Sequence, residues 1–209
     1  MIQAILFDIG NVLLKFDFSL AMAKLAADSE VHDPVAVLAR IDQIKVGYED
    51  GQIDRALFIR SVFDLLGYRG TEAAFVAAWE DIFDPNLAMF ALVERLHGHY
   101  PLYLLSNTSD IHRDYFFRRY PVFQRFSGGV YSYEAKLSKP HREIYEATAR
   151  QLGIQPEATF FIDDLLPNIE AARGVGFHVH HYHHDRHQEL LAALTAAGVS
   201  HGLQAEGRD

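Results

Sequence analysis

The chain has 209 residues, enough to bury a real core in one or two domains, and its 49% hydrophobic and 22% charged residues are ordinary for a soluble globular protein. A formal net charge of −9 argues against a nucleic-acid partner, because neutralising phosphates takes clustered lysine and arginine. The lack of cysteine excludes disulfides, iron–sulfur clusters and thiolate zinc sites.

The opening MIQAILFDIG has no basic segment, and its apolar run is too short for a signal sequence. No stretch reaches the roughly 18 apolar residues of a membrane span, so the expected location is cytoplasmic, with no membrane partner. IQAILF, residues 2–7, reads as a short, fully buried strand. Residues 18–83 carry almost no strand signal. Helical patterns there run through FSLAMAKLAADSE, DPVAVLARIDQIKVG, DRALFIRSVFDLLG and TEAAFVAAWEDIF. In the third, Leu57, Val62, Leu65 and Leu66 fall near one face and Gly67 supplies a stop; the fourth starts after Thr71.

The character then changes. LAMFALVERLHGHY is a helix, PLYLLSN a second apolar strand, DIHRDYFFRRY a helix and GGVYSY a third strand. PHREIYEATARQLG is a helix with Pro140 in its first turn and Gly153 at its end. ATFFID is a fourth strand, LPNIEAARGVG a helix, FHVHHY a fifth strand and HQELLAALTAAG the last helix; the tail LQAEGRD, residues 203–209, is expected to fray. Alternating strands and helices imply an α/β fold, a Rossmann-like doubly wound parallel five-stranded sheet. Residues 18–83 break the alternation and read as an inserted all-helical cap, leaving 1–17 and 84–209 as the core.

Polar groups stand just past the strand ends: Asp8 after the first, Ser106 and Asn107 after the second, Lys139 after the third, Asp163 and Asp164 after the fourth. Ligands of open α/β sheets bind at this edge. Each group alone has an ordinary account as a turn former, helix cap or solvated charge. Together they lie on one edge in a chemically sensible order.

FDIGNVLL, LLSNTS, KLSKPHREIY and FFIDDLLPNIEAAR resemble the four motifs of the haloacid dehalogenase superfamily, in order and spacing, across essentially the whole chain. DxGNV, GYEDGQID and LSNTSDIHRDYF are most similar to its small bacterial phosphatases of the α-D-glucose-1-phosphate phosphatase type. The resemblance implies a Mg²⁺-dependent phosphatase acting on a small phosphorylated metabolite such as a sugar phosphate. Asp8 would be the nucleophile that forms an aspartyl-phosphate. Mg²⁺ would take the Asp8 carboxylate, the Gly10 carbonyl, Asp163 and Asp164, with Asp164 the more direct ligand and Asp163 binding directly or through water. Lys139 would neutralise Asp8 and a phosphate oxygen. Ser106 and the N–H groups after it, through Asn107 and Thr108, would hold the remaining oxygens. Asn168 would position Asp164 or Lys139.

One position departs from the superfamily pattern. Most of its phosphatases carry an acid/base Asp where this chain has Gly10. Acid–base catalysis supplies about 10²–10⁴-fold, against accelerations of up to ~10²¹-fold for the slowest phosphate monoesters. Its loss should therefore slow the reaction without abolishing it. Tyr48, Glu49 and Asp50, in a cap segment able to reach the site, are candidate substitutes, Tyr48 and Glu49 also candidate substrate contacts; a solvated helix-connecting turn is an equal account.

FHVHHYHHDRH concentrates histidine, with His178, His180 and Tyr182 expected on one strand face. An adventitious transition-metal site is one account and a polar strand end the simpler one. DIHRDYFFRRYPVFQRF mixes arginine with aromatics and reads as a packed amphipathic helix, with Arg113 toward the cap or a subunit partner. The alternatives to a phosphatase are a 2-haloacid dehalogenase-type hydrolase, in which the Asp163–Asp164 pair would be out of place, and a catalytically weak binding protein. The expected assembly is a monomer or homodimer, for which the aromatic-rich cap offers a surface.

Overall fold

The computed structural model describes residues 1–31 and 33–203. Five parallel strands form one sheet in the order β5-β4-β1-β6-β7: β1 (Ala4–Phe7), β4 (Leu102–Ser106), β5 (Gly128–Tyr131), β6 (Thr159–Asp163) and β7 (His178–His181). β1 lies at the centre, pairing Ile5 with Leu102 on one side and with Phe160 on the other. All four of its residues are buried, which is why a sheet covered on both faces reads as an unbroken apolar run.

Side chains alternate across β1. Ile5 and Phe7 enter a cluster with Met89, Leu92 and Leu96 of α5 (Leu87–Leu96) and Leu190 and Leu194 of α10 (His187–Ala196). Ala4 and Leu6 enter the opposite cluster, with Ile144 and Tyr145 of α8 (Arg142–Leu152) and Ile169 and Ala172 of α9 (Leu166–Val175). The expected helices thus cover both faces.

Between β1 and β4, four helices assemble round a core of their own: α1 (Phe18–Leu25), α2 (Leu38–Glu49), α3 (Arg55–Leu66) and α4 (Glu72–Glu80). Asp54 caps α3 by accepting from the Leu57 N–H at 2.8 Å, and Thr71 caps α4 by accepting from Ala74 at 3.1 Å. Gly67 ends α3 at φ 58°, a left-handed turn that suits glycine. The buried face of α3 keeps Val62, Leu65 and Leu66 of the expected set and replaces Leu57 with Phe58. Phe58, Val62 and Leu66, each four residues from the next, point inward, whereas Leu57 is 45% exposed. Ile111 of α6 (Asp110–Arg119) joins this core from the sheet side.

Three other expectations are corrected. Two short strands, β2 (Leu14–Phe16) and β3 (Phe83–Pro85), pair antiparallel where the chain leaves and re-enters the sheet layer, Phe16 opposite Phe83. Pro140 is not in the first turn of α8; it follows a cis Lys139–Pro140 bond in the Ser138–His141 turn, where His141 N–H meets the Ser138 carbonyl at 2.9 Å. The third strand stops at Tyr131, and Ser132 opens a one-turn helix, α7 (Ser132–Ala135). Gly153 does end α8.

By alternation Tyr182 falls on the side opposite Val179, as His178 and His180 do, but one residue past the end of β7. It is buried, its hydroxyl accepting from the Asn86 amide at 2.8 Å and lying 3.3 Å from His187 Nδ1. His183 and His184 stack on each other and pair with Asp185, so no metal-ligating cluster forms there among the described residues. Arg113 packs over Phe117 at 4.8 Å and Tyr131 at 5.6 Å, not toward α1–α4. Of the tail 203–209, residues 204–209 lie outside the described residues. No described helix is long and apolar enough to cross a membrane.

Candidate active site

Asp8 continues β1, its N–H bonded to the Ile162 carbonyl at 2.9 Å, and its side chain emerges at the carboxyl edge of the sheet. Lys139 reaches it from the turn before α8. The ammonium lies 2.8 Å from Asp8 Oδ1, 2.6 Å from Asp163 Oδ2 and 3.0 Å from the Leu105 carbonyl, which uses all three of its donors. Asn107 sets that reach: its amide donates to the Lys139 carbonyl and its oxygen accepts the Lys139 N–H, both at 2.9 Å. The Asn107 side chain thus clamps the lysine backbone.

The two adjacent aspartates face different surroundings. Asp163 is fully buried; Oδ2 accepts from Lys139 and Asn168, and Oδ1 accepts from the Leu165 N–H at 2.8 Å and again from the Asn168 amide. Its acceptor sites are filled. Asp164 is less buried, with Oδ2 accepting from the Asn11 amide at 3.0 Å and its carbonyl bonded to His181 Nε2 at 2.8 Å. Asn168 therefore serves Asp163, not Asp164 or Lys139 directly.

Charge is unbalanced here: three carboxylates meet one ammonium. Burial, with the negative charge of Asp163 and Asp164, pushes Asp8 up to about 7 against the pull of Lys139. Burial also raises Asp164, opposed by the Asn11 amide. Burial works against the charge of Lys139, yet attraction to Asp163 and Asp8 holds it above the usual lysine range. Oxygens of Asp8, Asp163 and Asp164 come within 4.8 Å of one another, and no other group of metal-ligating residues gathers among the described residues. Hard oxygen donors with excess negative charge fit Mg²⁺. With Asp163 saturated, Asp8 and Asp164 are the carboxylates of this cluster that could hold it, and Gly10 lines the same cleft.

Asp8, Gly10, Asn11, Lys139, Asp164 and Asn168, but not the buried Asp163, line a cleft of about 270 Å³ between the sheet edge and the helical layer. Ser106, Asn107 and Thr108 form one wall. The Thr108 N–H is directed elsewhere, donating to the buried Ser132 hydroxyl at 3.0 Å. Of the cap candidates only Glu49 lines the cleft, together with Lys45. Tyr48 stacks on Phe58 inside the helical layer, its hydroxyl bonded to Asp110. The Asp50 carboxylate accepts from the Ser138 hydroxyl.

Several cleft residues escaped sequence reasoning. Phe16, Phe18, Phe83, Phe116 and His112 form an aromatic wall drawn from both layers, which no local pattern announces. Asn11 did leave a signal in GNV: it holds a left-handed φ of 52°, which asparagine tolerates better than most side chains. The Phe16 ring occupies the space beside Gly10, where an added Cβ would lie 3.1 Å from Phe16 Cε1.

A parallel sheet of this order, with an aspartate ending its central strand and a lysine and an acidic pair converging on it, defines a haloacid dehalogenase-like hydrolase. The family model so described matches residues 2–176, and the chain belongs to that family. A D-ribitol-5-phosphate phosphatase of Bacteroides thetaiotaomicron is 26% identical over 94% of this chain and 100% of its own length. The crystal structure of a HAD family enzyme of the same species, in complex with magnesium and inorganic phosphate, superposes with a TM-score of 0.77 at 29% identity, covering 86% of this chain and 93% of that one. An L-2-haloacid dehalogenase of Xanthobacter autotrophicus, 18% identical over 95% of this chain and 84% of its own, shares the fold with a TM-score of 0.63. Within the family, the acidic pair and the relatives side with the phosphatases. They support the superfamily without singling out the glucose-1-phosphate type.

Proposed function

We propose that the protein is a Mg²⁺-dependent phosphatase that releases inorganic phosphate from a small phosphorylated sugar or sugar alcohol by way of an aspartyl-phosphate on Asp8. The observation that carries this reading is the joint approach of Lys139 and Asp164 to a single buried carboxylate, Asp8. In this reading residues 1–17 and 84–209 are the catalytic core and residues 18–83 the cap that shapes specificity.

The substrate phosphate would sit between Asp8 and the Ser106–Thr108 wall. Bound Mg²⁺, held by Asp8, Asp164 and the Gly10 carbonyl, would offset the charge that opposes attack of one anion on another. Asp8 Oδ attacks phosphorus in line with the ester oxygen. Lys139 favours the ionised form of that carboxylate and would face a non-bridging oxygen. Ser106 Oγ and the Asn107 N–H hold others, whereas the Thr108 N–H is engaged by Ser132. Asp163, saturated by Lys139, Asn168 and Leu165, orients Lys139 and reaches the metal only through water. The aromatic wall would pack against the carbon skeleton of the leaving group, while Lys45 offers its hydroxyls a donor.

The test is hydrolysis of p-nitrophenyl phosphate and of a phosphorylated-metabolite panel that includes D-ribitol 5-phosphate and glucose 1-phosphate, with Asp8→Asn as the control. Activity is expected only with Mg²⁺ and only with Asp8 intact. Turnover that survives EDTA, or no activity across the panel, would reject the reading.

A further inference from the structure

Gly10 leaves Asp8 without a neighbouring proton donor, and we infer that Glu49, carried by the helical layer, is the acid/base group of the reaction. The inference rests on the reading of Asp8 as nucleophile. Three consecutive residues bear a suitable group, and their surroundings separate them. Tyr48 is turned into the helical core with its hydroxyl on Asp110, and Asp50 is held by Ser138. Glu49 lines the same cleft as Asp8, on the opposite wall.

Its position is fixed from the sheet side. The Ser132 hydroxyl donates to the Glu49 carbonyl at 2.5 Å while accepting the Thr108 N–H at 3.0 Å. One buried hydroxyl thus ties the end of α2 to the loop that would hold the phosphate. Two residues on, Gly51 takes φ 67° against the Tyr133 carbonyl, where any Cβ would come within 2.4 Å of that oxygen. The Glu49 side chain, 15% exposed, meets one opposite charge among the described residues, Lys45 at 3.1 Å. Burial, the largest influence, lifts its carboxyl above the ordinary range although Lys45 draws it down; Asp50 and Asp42 add to the rise. That favours the proton a donor must carry.

The two half-reactions balance. As Asp8 Oδ bonds to phosphorus, the P–O ester bond breaks and its electron pair goes to the ester oxygen, which takes the Glu49 proton and leaves as an alcohol. Glu49, now a carboxylate, takes a proton from water as the water oxygen attacks phosphorus. The Asp8–phosphorus bond breaks, phosphate leaves, and both carboxyl groups return to their starting forms.

The experiment compares kcat/KM for an alkyl phosphate and for p-nitrophenyl phosphate in the parent and in Glu49→Gln. An alkoxide needs a proton to leave and nitrophenolate does not. The alkyl value is expected to fall by about 10²–10⁴-fold, and the nitrophenyl value by less than about 10-fold. An equal fall on both, no fall on either, or a rise in KM with kcat unchanged would overturn the assignment. Activity on p-nitrophenyl phosphate reports that the variant is folded. If Glu49→Gln does not fold, Glu49→Asp keeps a carboxyl and should keep the alkyl-to-nitrophenyl ratio near that of the parent; a collapsed ratio overturns the assignment equally. Hydrolysis surviving in Asp8→Asn would remove the aspartyl-phosphate reading and leave the Glu49 ratio to be judged separately.

Discussion

The Lys139 ammonium lies 2.6 Å from Asp163, and neither side chain is more than 2% exposed. Such a pair is weak evidence of stability by itself, because desolvation offsets the attraction. Its effect is to fix a charge: Asp163, locked by Asn168 and the Leu165 N–H, sets where the ammonium can point, and its other two donors reach Asp8 and the Leu105 carbonyl.

Removing the lysine should therefore damage the fold as well as the chemistry. Lys139→Met leaves Asp8 and Asp163 buried without a cation, and breaking a buried pair from one side costs about 3–5 kcal/mol. Urea denaturation of the metal-free proteins measures it. A loss under about 1 kcal/mol would mean that the carboxylates find other compensation.

Asp8→Asn should behave oppositely. Burial and two like charges already oppose ionisation of Asp8. A neutral amide removes that repulsion at the cost of the Lys139 pairing. The variant should be inactive yet no less stable than the parent without metal. A drop in its melting temperature would contradict this balance.

Asn168→Ala frees Asp163, whose two oxygens the amide holds at 2.9 and 3.1 Å. Outer residues of this kind typically change metal affinity or activity by about 10–100-fold. The expected result is a rise of that order in the Mg²⁺ concentration for half-maximal rate, or an equal fall in rate. Parent-like Mg²⁺ dependence and rate would show that Lys139 alone orients Asp163.

His112 makes acid stability a sharp test. Its ring is buried beside Trp79, Nε2 donates to the Trp79 carbonyl at 3.1 Å, and burial pushes its pKa down to about 3. The folded protein holds it neutral, while the unfolded chain protonates it below about 6.5. Stability from this residue is thus complete above about 6.5 and declines as pH falls toward 3. Between pH 7.5 and 4.5 the parent should lose about 2–3 kcal/mol more than His112→Phe in urea titrations. Parallel losses in the two proteins would show that the His112 ring takes up its proton while folded.

At Gly10 the obstacle is the Phe16 ring, 3.1 Å from where a Cβ would stand. Gly10→Asp alone should cost about 1–3 kcal/mol through overpacking. In the Phe16→Ala background, which opens the space, the cost should shrink. A double-mutant cycle measures the coupling, and simple additivity would separate the two positions.

Much of the catalytic edge was legible because a strand buried on both faces has one reading: an apolar run stopped by a polar residue. Asp8, Ser106 and Asp163 all mark such stops. What escaped depends on packing between distant segments. Leu57 and Phe58 both lie near the apolar stripe of α3, and only the neighbouring helices select Phe58. Asp163 and Asp164 are chemically identical in the sequence; the inward turn toward Asn168 and Lys139 separates their roles. Glu49 is one of three candidates until the placement of Tyr48 and Asp50 leaves it alone in the cleft. The aromatic wall joins residues as far apart as Phe16 and Phe116, so no periodicity reveals it.

The β2–β3 pair brings Phe16 beside Phe83. Everything between them is therefore grafted onto the sheet at a single seam, its two ends about one strand spacing, 4.7–4.9 Å, apart. A segment attached in this way can be lengthened, shortened or exchanged without altering the distance its host must span. On the proposed reading, selectivity can consequently drift through substitution of the graft while Asp8, Lys139 and the acidic pair beneath keep their register.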